Sequence, residues 1–363
     1  MSDPASALDQ FAAMVREAGV ARRPLRFRGG GTKDFYGERL DGEILDTRRY
    51  SGIVSYDPTE LVMTARCGTP LAELESVLAD SGQMLACEPP HFGGAATLGG
   101  AVAAGLSGPR RSSAGALRDF VLGATVMDGQ ARVLRFGGQV MKNVAGYDVS
   151  RLMAGSLGTL ALILEVSLKT LPRPREETTL GLEMALPQAL EALGRWIGGG
   201  APVSGSAWYQ GQMRVRLSGA ASAVASGRAL IGGDSLAQPE ASAFWHRLRD
   251  QDEPFFRAEG PLWRISLPAA VPAGALSALS DPGAERLVEW GGSLHWLRTG
   301  ADARLVRDTA TAVGGHATLF RGRTDASTVF QPLSPVQAGL HRRLKAAFDP
   351  LGIFNPGRMY PDL

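Results

Sequence analysis

Three glycine-rich stretches hold the residues of this chain that are best suited to bind an anion. The first is Arg28-Gly29-Gly30-Gly31-Thr32-Lys33, which follows the short predicted strand at 25–27. Glycine permits positive φ and close backbone approach, and successive peptide N–H groups in such a turn can surround a pyrophosphate. Arg28 and Lys33 add positive charge at the two ends. Taken alone, the loop could equally be an ordinary tight turn after a strand.

The second stretch, residues 95–105, consists almost entirely of small residues. It predicts a helix whose backbone packs against a flat group or another backbone, and whose N-terminus can hold a phosphate with the Thr97 hydroxyl. A close helix–helix contact in a core is the alternative. Two such turns about 65 residues apart are less easily both accidental. The expected ligand contacts here are Thr97, Leu98, Gly99 and Gly100, with Ser107 just beyond.

The third stretch joins Lys142-Asn143-Val144-Ala145-Gly146-Tyr147-Asp148 to Gly155-Ser156-Leu157-Gly158-Thr159-Leu160. Its polar groups lie on a turn before a short predicted helix at 148–153. Its glycines lead into the apolar segment 160–171, which predicts a buried strand. The candidate contacts are Asp148, Gly155, Gly158, Thr159 and Leu160. The turn at 155–159 could instead be purely structural.

Other common sites are excluded or disfavoured. The chain contains neither G-x-G-x-x-G nor G-x-x-x-x-G-K-[ST], so a Rossmann dinucleotide site and a P-loop are disfavoured. The net charge of +2 gives no reason to expect nucleic acid. The two cysteines form neither a disulfide framework nor a metal motif, and each of the five scattered histidines is expected to be structural. No apolar run is long enough to span a bilayer.

The elements that must position these residues follow from periodicity and punctuation. We predict a helix ending near Gly19, strands at 25–27, 52–56 and 61–67, and a helix with Thr69 as N-cap and Pro70 at its first position. Asp128-Gly129 predicts a hairpin between 119–127 and 132–136. Beyond the proline- and charge-rich segment 172–177, strands alternate with alanine-rich helices, which favours an α+β sheet covered by helices on one face.

Four motifs in order resemble the vanillyl-alcohol oxidase superfamily and, within it, the FAD-binding subunits of bacterial glycolate oxidases. They are R-G-G-G-T, A-T-L-G-G, K-N-V-A-G-Y-D with G-S-L-G-T-L, and F-D-P-L-G-I-F-N-P-G-R. The resemblance covers about residues 25–172 and 334–360 well, and the middle only by general pattern.

The resemblance implies an α+β protein with a PCMH-type FAD domain of two α/β subdomains and an α+β cap with an antiparallel sheet. The corresponding ranges are 1–175 for the FAD domain, 176–330 for the cap and 331–363 for a return segment on the FAD domain. It places Gly29–Thr32 at the pyrophosphate, and Asn355 and Arg358 in a loop that closes on the isoalloxazine. The first loop lacks the histidine of covalent members, so non-covalent FAD is expected. Leu157 replaces the acid of the usual G-S-E-G-T-L stretch.

The implied function is an FAD subunit of a multi-subunit oxidoreductase that oxidises glycolate to glyoxylate. Its expected partners are a larger homologous flavoprotein subunit and an iron–sulfur subunit. We expect a cytoplasmic location, at the inner face of the membrane only if partners bring the chain there. No catalytic residue can be assigned. One alternative is a self-contained FAD-dependent D-2-hydroxyacid dehydrogenase that uses Arg264, Arg298, Arg321 or His295. The other is a non-redox interaction subunit.

Overall fold

A computed structural model describes residues 4–138, 148–269, 271–281, 283–322 and 328–363. The predicted motif at 142–147 lies outside these ranges. In chain order, helices α1 to α12 are Pro4–Ala21, Leu71–Asp80, Leu98–Ala104, Arg111–Ala114, Leu117–Phe120, Val149–Leu152, Leu186–Gly198, Ala221–Ile231, Gln238–Arg249, Pro254–Arg257, Ala303–Ala312 and Pro335–Phe348. Strands β1 to β17 are Leu25–Arg28, Glu43–Asp46, Ile53–Asp57, Val62–Arg66, Gln83–Met84, Val121–Met127, Val133–Gly137, Leu162–Lys169, Leu171–Pro172, Glu176–Glu183, Val203–Tyr209, Gln212–Gly219, Asp234–Ser235, Leu262–Ser266, Glu285–Glu289, Leu294–Arg298 and His316–Arg321.

The chain divides into two compact units. The first consists of Met1–Leu106, Ala116–Pro172 and Pro332–Leu363, and the second of Ser107–Gly115 and Arg173–Gln331. In the first unit, a five-stranded antiparallel sheet has the order β3-β4-β8-β6-β7, and β1 and β2 form a separate parallel pair. Strand β8 is apolar along nearly its whole length because it lies in the middle of the larger sheet, which confirms the predicted buried strand.

One local prediction in the first unit needs correction, and another is confirmed. Helix α2 begins at Leu71 with Pro70 as its N-cap, whereas the hydroxyl of Thr69 donates to the carbonyl of Arg66 and accepts from the amide of Gly52. Thr69 therefore ties the strand end to a neighbouring loop and does not cap the helix. The predicted hairpin is confirmed as β6 and β7. The connection runs from residue 128 to residue 132. The Asp128 carboxylate stabilises it by accepting from the amides of Gln130 and Arg132.

A buried ion pair fixes the C-terminal segment on the first unit. The ammonium of Lys345 on α12 lies 2.8 Å from the Asp349 carboxylate and donates to the carbonyls of Thr159 and Phe354. Lys345 is 8% exposed and Asp349 1%, and burial lowers the pKa of the lysine. Asp349 also accepts from the amides of Ile353 and Phe354. The pair therefore sets the backbone path just before Asn355.

We expect Lys345→Met to destabilise the chain by about 3–5 kcal/mol, because it leaves the Asp349 carboxylate buried without its cation. The measurement is the free energy of unfolding in urea. Arg343→Met is the matched control: Arg343 lies on the same helix but is exposed, so its loss should change stability by no more than about 0.5 kcal/mol. Equal losses in the two variants would mean that the pair contributes nothing specific.

The second unit contains an eight-stranded sheet of order β13-β10-β12-β11-β15-β16-β14-β17, and its strand pairs are antiparallel, as expected. The expectation of helices on one face is wrong. One face packs on α7, α8 and α11 through two apolar clusters. On the other face α9 brings Trp245 against Thr179, and α10 brings Phe256 against Trp296. The large aromatic side chains of α9 and α10 cover that face, which alanine-rich periodicity does not indicate.

Candidate functional site

The first glycine-rich stretch borders a cleft of about 650 Å³ in the first unit, here called the loop cleft. Strand β1 ends at Arg28, and the chain then turns through the glycines along one wall. Nineteen residues line it: Arg26, Phe27, Arg28, Gly29, Gly30, Gly31, Thr32, Lys33, Asp34, Arg39, Leu40, Asp41, Thr97, Gly100, Ala103, Ala104, Leu157, Asn355 and Arg358. Ten of them were predicted from the sequence as ligand contacts, so separate motifs converge on one cleft.

The loop presents hydrogen-bond donors that the chain itself does not use. Among the described residues, the backbone amides of Gly30, Gly31 and Thr32 have no acceptor. The buried Nε of Arg26 likewise has no partner in the described part of the chain. Backbone and guanidinium donors without acceptors are what a multiply charged oxyanion requires. This part of the cleft therefore fits a pyrophosphate.

The charges around the loop cleft favour the same ligand. Five of the lining side chains are cationic: Arg26, Arg28, Lys33, Arg39 and Arg358. Two are acidic, Asp34 and Asp41, which leaves a formal excess of three positive charges. A concave surface of one sign raises the local concentration of oppositely charged ligands. Arg26 and Arg39 were not predicted. Arg26 could have been found from the sequence, because side chains alternate along a strand and Arg26 therefore lies on the same side of β1 as Arg28.

The glycines of the loop are required for reasons that differ from residue to residue. Of the three, only Gly31 has a positive φ, +71°. A Cβ at Gly30 would fall on the carbonyl oxygen of Ala95, and one at Gly29 on the hydroxyl of Thr97. The first and second stretches therefore pack backbone to backbone. Gly30 thus serves the close approach of the backbone and not a positive φ, because its absent side chain makes room for the second stretch.

The backbone amides at the start of α3 are already bound within the chain. The amides of Leu98 and Gly99 donate to the carbonyls of Thr69 and Cys67, and the Thr97 hydroxyl accepts from the amide of Gly100. These bonds consume the donors that a phosphate would need. The small residues of α3 serve the site in another way, since Gly100, Ala103 and Ala104 form a wall without bulky side chains.

A second cavity of about 390 Å³, here called the strand cavity, adjoins the loop cleft. It is lined by Phe27, Arg28, Gly29, Thr47, Cys67, Gly99, Gly100, Ala103, Leu157, Gly158, Ala161, Leu162, Ile163 and Asn355. Seven of these residues also line the loop cleft. Burial raises the pKa of the Cys67 thiol to about 12, so it stays protonated at neutral pH. The two spaces together offer a charged part and a mainly apolar part, as a dinucleotide with a flat ring system requires.

Asn355 joins three segments at the boundary between these spaces. Its side-chain oxygen accepts from the amide of Phe27 at 2.9 Å, and its side-chain nitrogen donates to the carbonyl of Leu157 at 2.7 Å. Leu157 and Asn355 both have positive φ, +52° and +40°. A Cβ at Gly158 would lie 2.6 Å from the Asn355 side-chain nitrogen, which explains the glycine. Asn355 thus acts first as a positioning residue.

Arg358 supports the outer wall of the loop cleft. Its Nη2 donates to the carbonyls of Lys33 (3.3 Å), Asp34 (2.9 Å) and Tyr36 (2.5 Å). One guanidinium therefore holds several turns of the chain that follows the glycine-rich loop. Asn355 and Arg358 both line the loop cleft. Their predicted contact with an isoalloxazine stays a prediction.

Some predicted contacts line neither space. Leu98, Thr159 and Leu160 are buried. Asp148 caps α6, the amide of Gly155 donates to the carbonyl of Val102, and Ser107 belongs to the second unit. Their part in binding stays a prediction.

The cap residues considered for catalysis are engaged in the structure of the second unit. The guanidinium of Arg298 donates to the carbonyls of Phe255, Phe256 and Glu259. His295 is 3% exposed, and burial, with the charge of Arg286 nearby, lowers its pKa to about 4. It is therefore neutral and inaccessible at neutral pH.

The described residues contain neither a metal-binding group nor a helix suited to span a membrane. None of their His, Cys, Asp or Glu side chains form a group of three that could hold a metal ion. No helix among them combines the length and apolar character needed to cross a membrane.

Comparison with known proteins identifies relatives over almost the whole chain. Residues 5–137 match the family model described as FAD binding domain, and residues 321–359 match that of FAD linked oxidases, C-terminal domain. The chain is 46% identical over 349 residues to glycolate oxidase subunit GlcE of Escherichia coli (strain K12), covering 96% of each chain.

More distant relatives extend this result. The chain is 28% identical to glycolate oxidase subunit GlcD of Bacillus subtilis (strain 168) over 186 residues, which are 51% of this chain and 39% of that one. A solved structure of alkyldihydroxyacetonephosphate synthase superposes with a TM-score of 0.67 at 16% identity, covering 95% of this chain and 74% of the other. At this low identity, the solved structure supports the fold alone.

Proposed function

The chain belongs to the family of FAD-linked oxidases that includes glycolate oxidase subunit GlcE, and we propose that it is the FAD-binding subunit of a multi-subunit glycolate oxidase. It is an FAD-dependent oxidoreductase of this family. The observation that carries the proposal is the loop cleft, where unused amides and an excess of cationic side chains meet beside a mainly apolar cavity.

The residues of the first unit divide the binding of FAD between them. The amides of Gly30 to Thr32, with Arg26 and Arg28, would hold the pyrophosphate. Gly100 and Ala103 would let the cofactor lie close to α3, and Phe27 and Ile163 would supply apolar contacts in the strand cavity. Bound FAD supplies a two-electron acceptor for the hydride of a 2-hydroxyacid such as glycolate. The protein contributes orientation and exclusion of water.

The partners follow from what the chain itself does not contain. Its two cysteines are both buried and apart, and an iron–sulfur cluster is usually held by four thiolates. We propose that electrons leave the flavin through another subunit, an iron–sulfur protein. The match to part of the longer GlcD protein supports a larger homologous flavoprotein as the second partner. We further propose a cytoplasmic location, with membrane contact only through these partners.

We expect the purified chain to be yellow and acid precipitation to release its flavin into the supernatant. The reason is that the loop cleft contains no histidine and its neighbouring thiol, Cys67, is protonated, so no side chain at this site is poised for a covalent link. The measurement is the flavin absorbance of supernatant and pellet. Flavin that stays in the pellet would contradict non-covalent binding, and a colourless, folded chain that takes up no added FAD would contradict the proposed function.

A further inference from the structure

The carboxylate of Asp34 lies inside the loop cleft, among the cations that would hold the pyrophosphate. Its Oδ2 is 2.5 Å from Nη2 of Arg26 and 3.3 Å from Nε of Arg28. The backbone fixes the residue at both ends, since its amide donates to the carbonyl of Gly31 and its own carbonyl accepts from Arg358. The chain thus places an anion of its own in a site built for an anion.

We propose that Asp34 is an internal counter-anion that weakens the hold of the loop cleft on the cofactor's pyrophosphate and so sets its affinity. The inference rests on the proposed FAD function. Asp34 acts in two ways: it occupies donors of Arg26 and Arg28, and its charge repels the phosphates. With Asp34 neutral, the formal excess of positive charge on the lining would rise from three to four.

The opposite role, in which Asp34 orients the two arginines for the ligand, is less well supported by the contacts. Arg28 is held against the loop backbone itself, because a Cβ at Gly31 would lie within 3.0 Å of three guanidinium atoms. The carboxylate also leaves the buried Nε of Arg26 without an acceptor. Asp34 therefore competes for these guanidinium groups without satisfying them, and a phosphate oxygen could use the remaining donor.

The test compares Asp34→Asn with Asp41→Asn in the full chain freed of flavin. Asparagine removes the charge and keeps one acceptor oxygen for the arginines, while an NH2 donor replaces the other oxygen. Asp41 is the matched control, because it lines the same cleft, is exposed and has no ion pair within the described ranges. Two dissociation constants are measured: that of FAD, by quenching of flavin fluorescence, and that of inorganic pyrophosphate, by calorimetry. Thermal melting verifies that both variants are folded.

We expect Asp34→Asn to lower both dissociation constants by about threefold to tenfold at low salt, with a smaller gain at high salt. Asp41→Asn removes the same charge from the lining and should lower them by less than about twofold, because Asp41 is exposed, screened by solvent and bound to neither arginine. A weaker hold on pyrophosphate in Asp34→Asn would overturn the proposal and assign Asp34 the orienting role. Equal gains in both variants would also overturn it, since only overall charge would then matter. If the unaltered chain bound pyrophosphate but not FAD, the proposed function would fail, while the pyrophosphate comparison would still decide the role of Asp34.

Discussion

A Gly30→Val variant is expected to retain less than about a tenth of the flavin of the unaltered chain. A Cβ at this position falls on the carbonyl oxygen of Ala95, so the first loop and the second glycine-rich stretch must separate. Overpacking of this kind costs about 1–3 kcal/mol or more, and each 1.4 kcal/mol is about tenfold in occupancy. The measurement is the amount of flavin per mole of folded protein.

Two further variants distinguish loss of the cofactor from loss of the fold. Gly94→Val lies in the same turn as Ala95, but a Cβ there meets nothing within 4 Å, so the flavin should be retained. Gly100→Leu puts a side chain on the wall that the two spaces share, where its Cβ meets only the Thr97 hydroxyl at 3.4 Å. It should expel flavin, while its melting temperature should equal that of the unaltered chain freed of flavin. Full flavin content in folded Gly30→Val and Gly100→Leu would show that the pyrophosphate binds elsewhere.

The cofactor site was largely predictable because its main features are local in sequence. A run of three glycines between cationic residues, followed by a second stretch of small residues, indicates an anion loop, and the structure gives that loop unused amides at Gly30 to Thr32. The small residues of α3 were likewise visible as a helix that admits close approach. What could not be predicted was how these pieces share their hydrogen bonds. The donors at the start of α3 are consumed by carbonyls at Cys67 and Thr69, more than 25 residues earlier in the chain.

Contacts between residues far apart in the sequence also shape the site, and the sequence around each residue does not predict them. Arg358 holds the carbonyls of residues 33–36, and Lys345 reaches the carbonyl of Thr159 across a separation of 186 residues. A lysine in an amphipathic helix is ordinarily exposed, so its burial depends on the return of the chain to the first unit. In the second unit, periodicity predicted the strands and helices but not which sheet face each helix covers, since that depends on aromatic contacts such as Phe256 with Trp296.

The described residues of the second unit do not bring together the groups that oxidation of a 2-hydroxyacid requires. Oxidation of a 2-hydroxyacid needs a group that takes the hydroxyl proton and cations that hold the carboxylate. Arg298 is bound to backbone carbonyls, and His295 is buried and neutral. Arg264 lies beside the rings of Trp290 and Trp296, where its stem and charge serve packing of the sheet. Within the described ranges, no metal-binding group of acidic, cysteine and histidine side chains replaces them.

We therefore expect the isolated chain, mixed anaerobically with excess glycolate or D-lactate, to keep its flavin absorbance band. The flavin itself should remain reducible, so dithionite added afterwards must bleach the band and serves as the positive control. Addition of the larger flavoprotein subunit, purified from the same source, should restore reduction by glycolate, because that subunit would supply the proton acceptor and carboxylate contacts. The comparison distinguishes a subunit that needs its partner from a dehydrogenase that acts alone. Rapid bleaching of the isolated chain by either acid would identify a self-contained dehydrogenase, and Arg264 and Arg321 would then be the first side chains to replace in search of its carboxylate site.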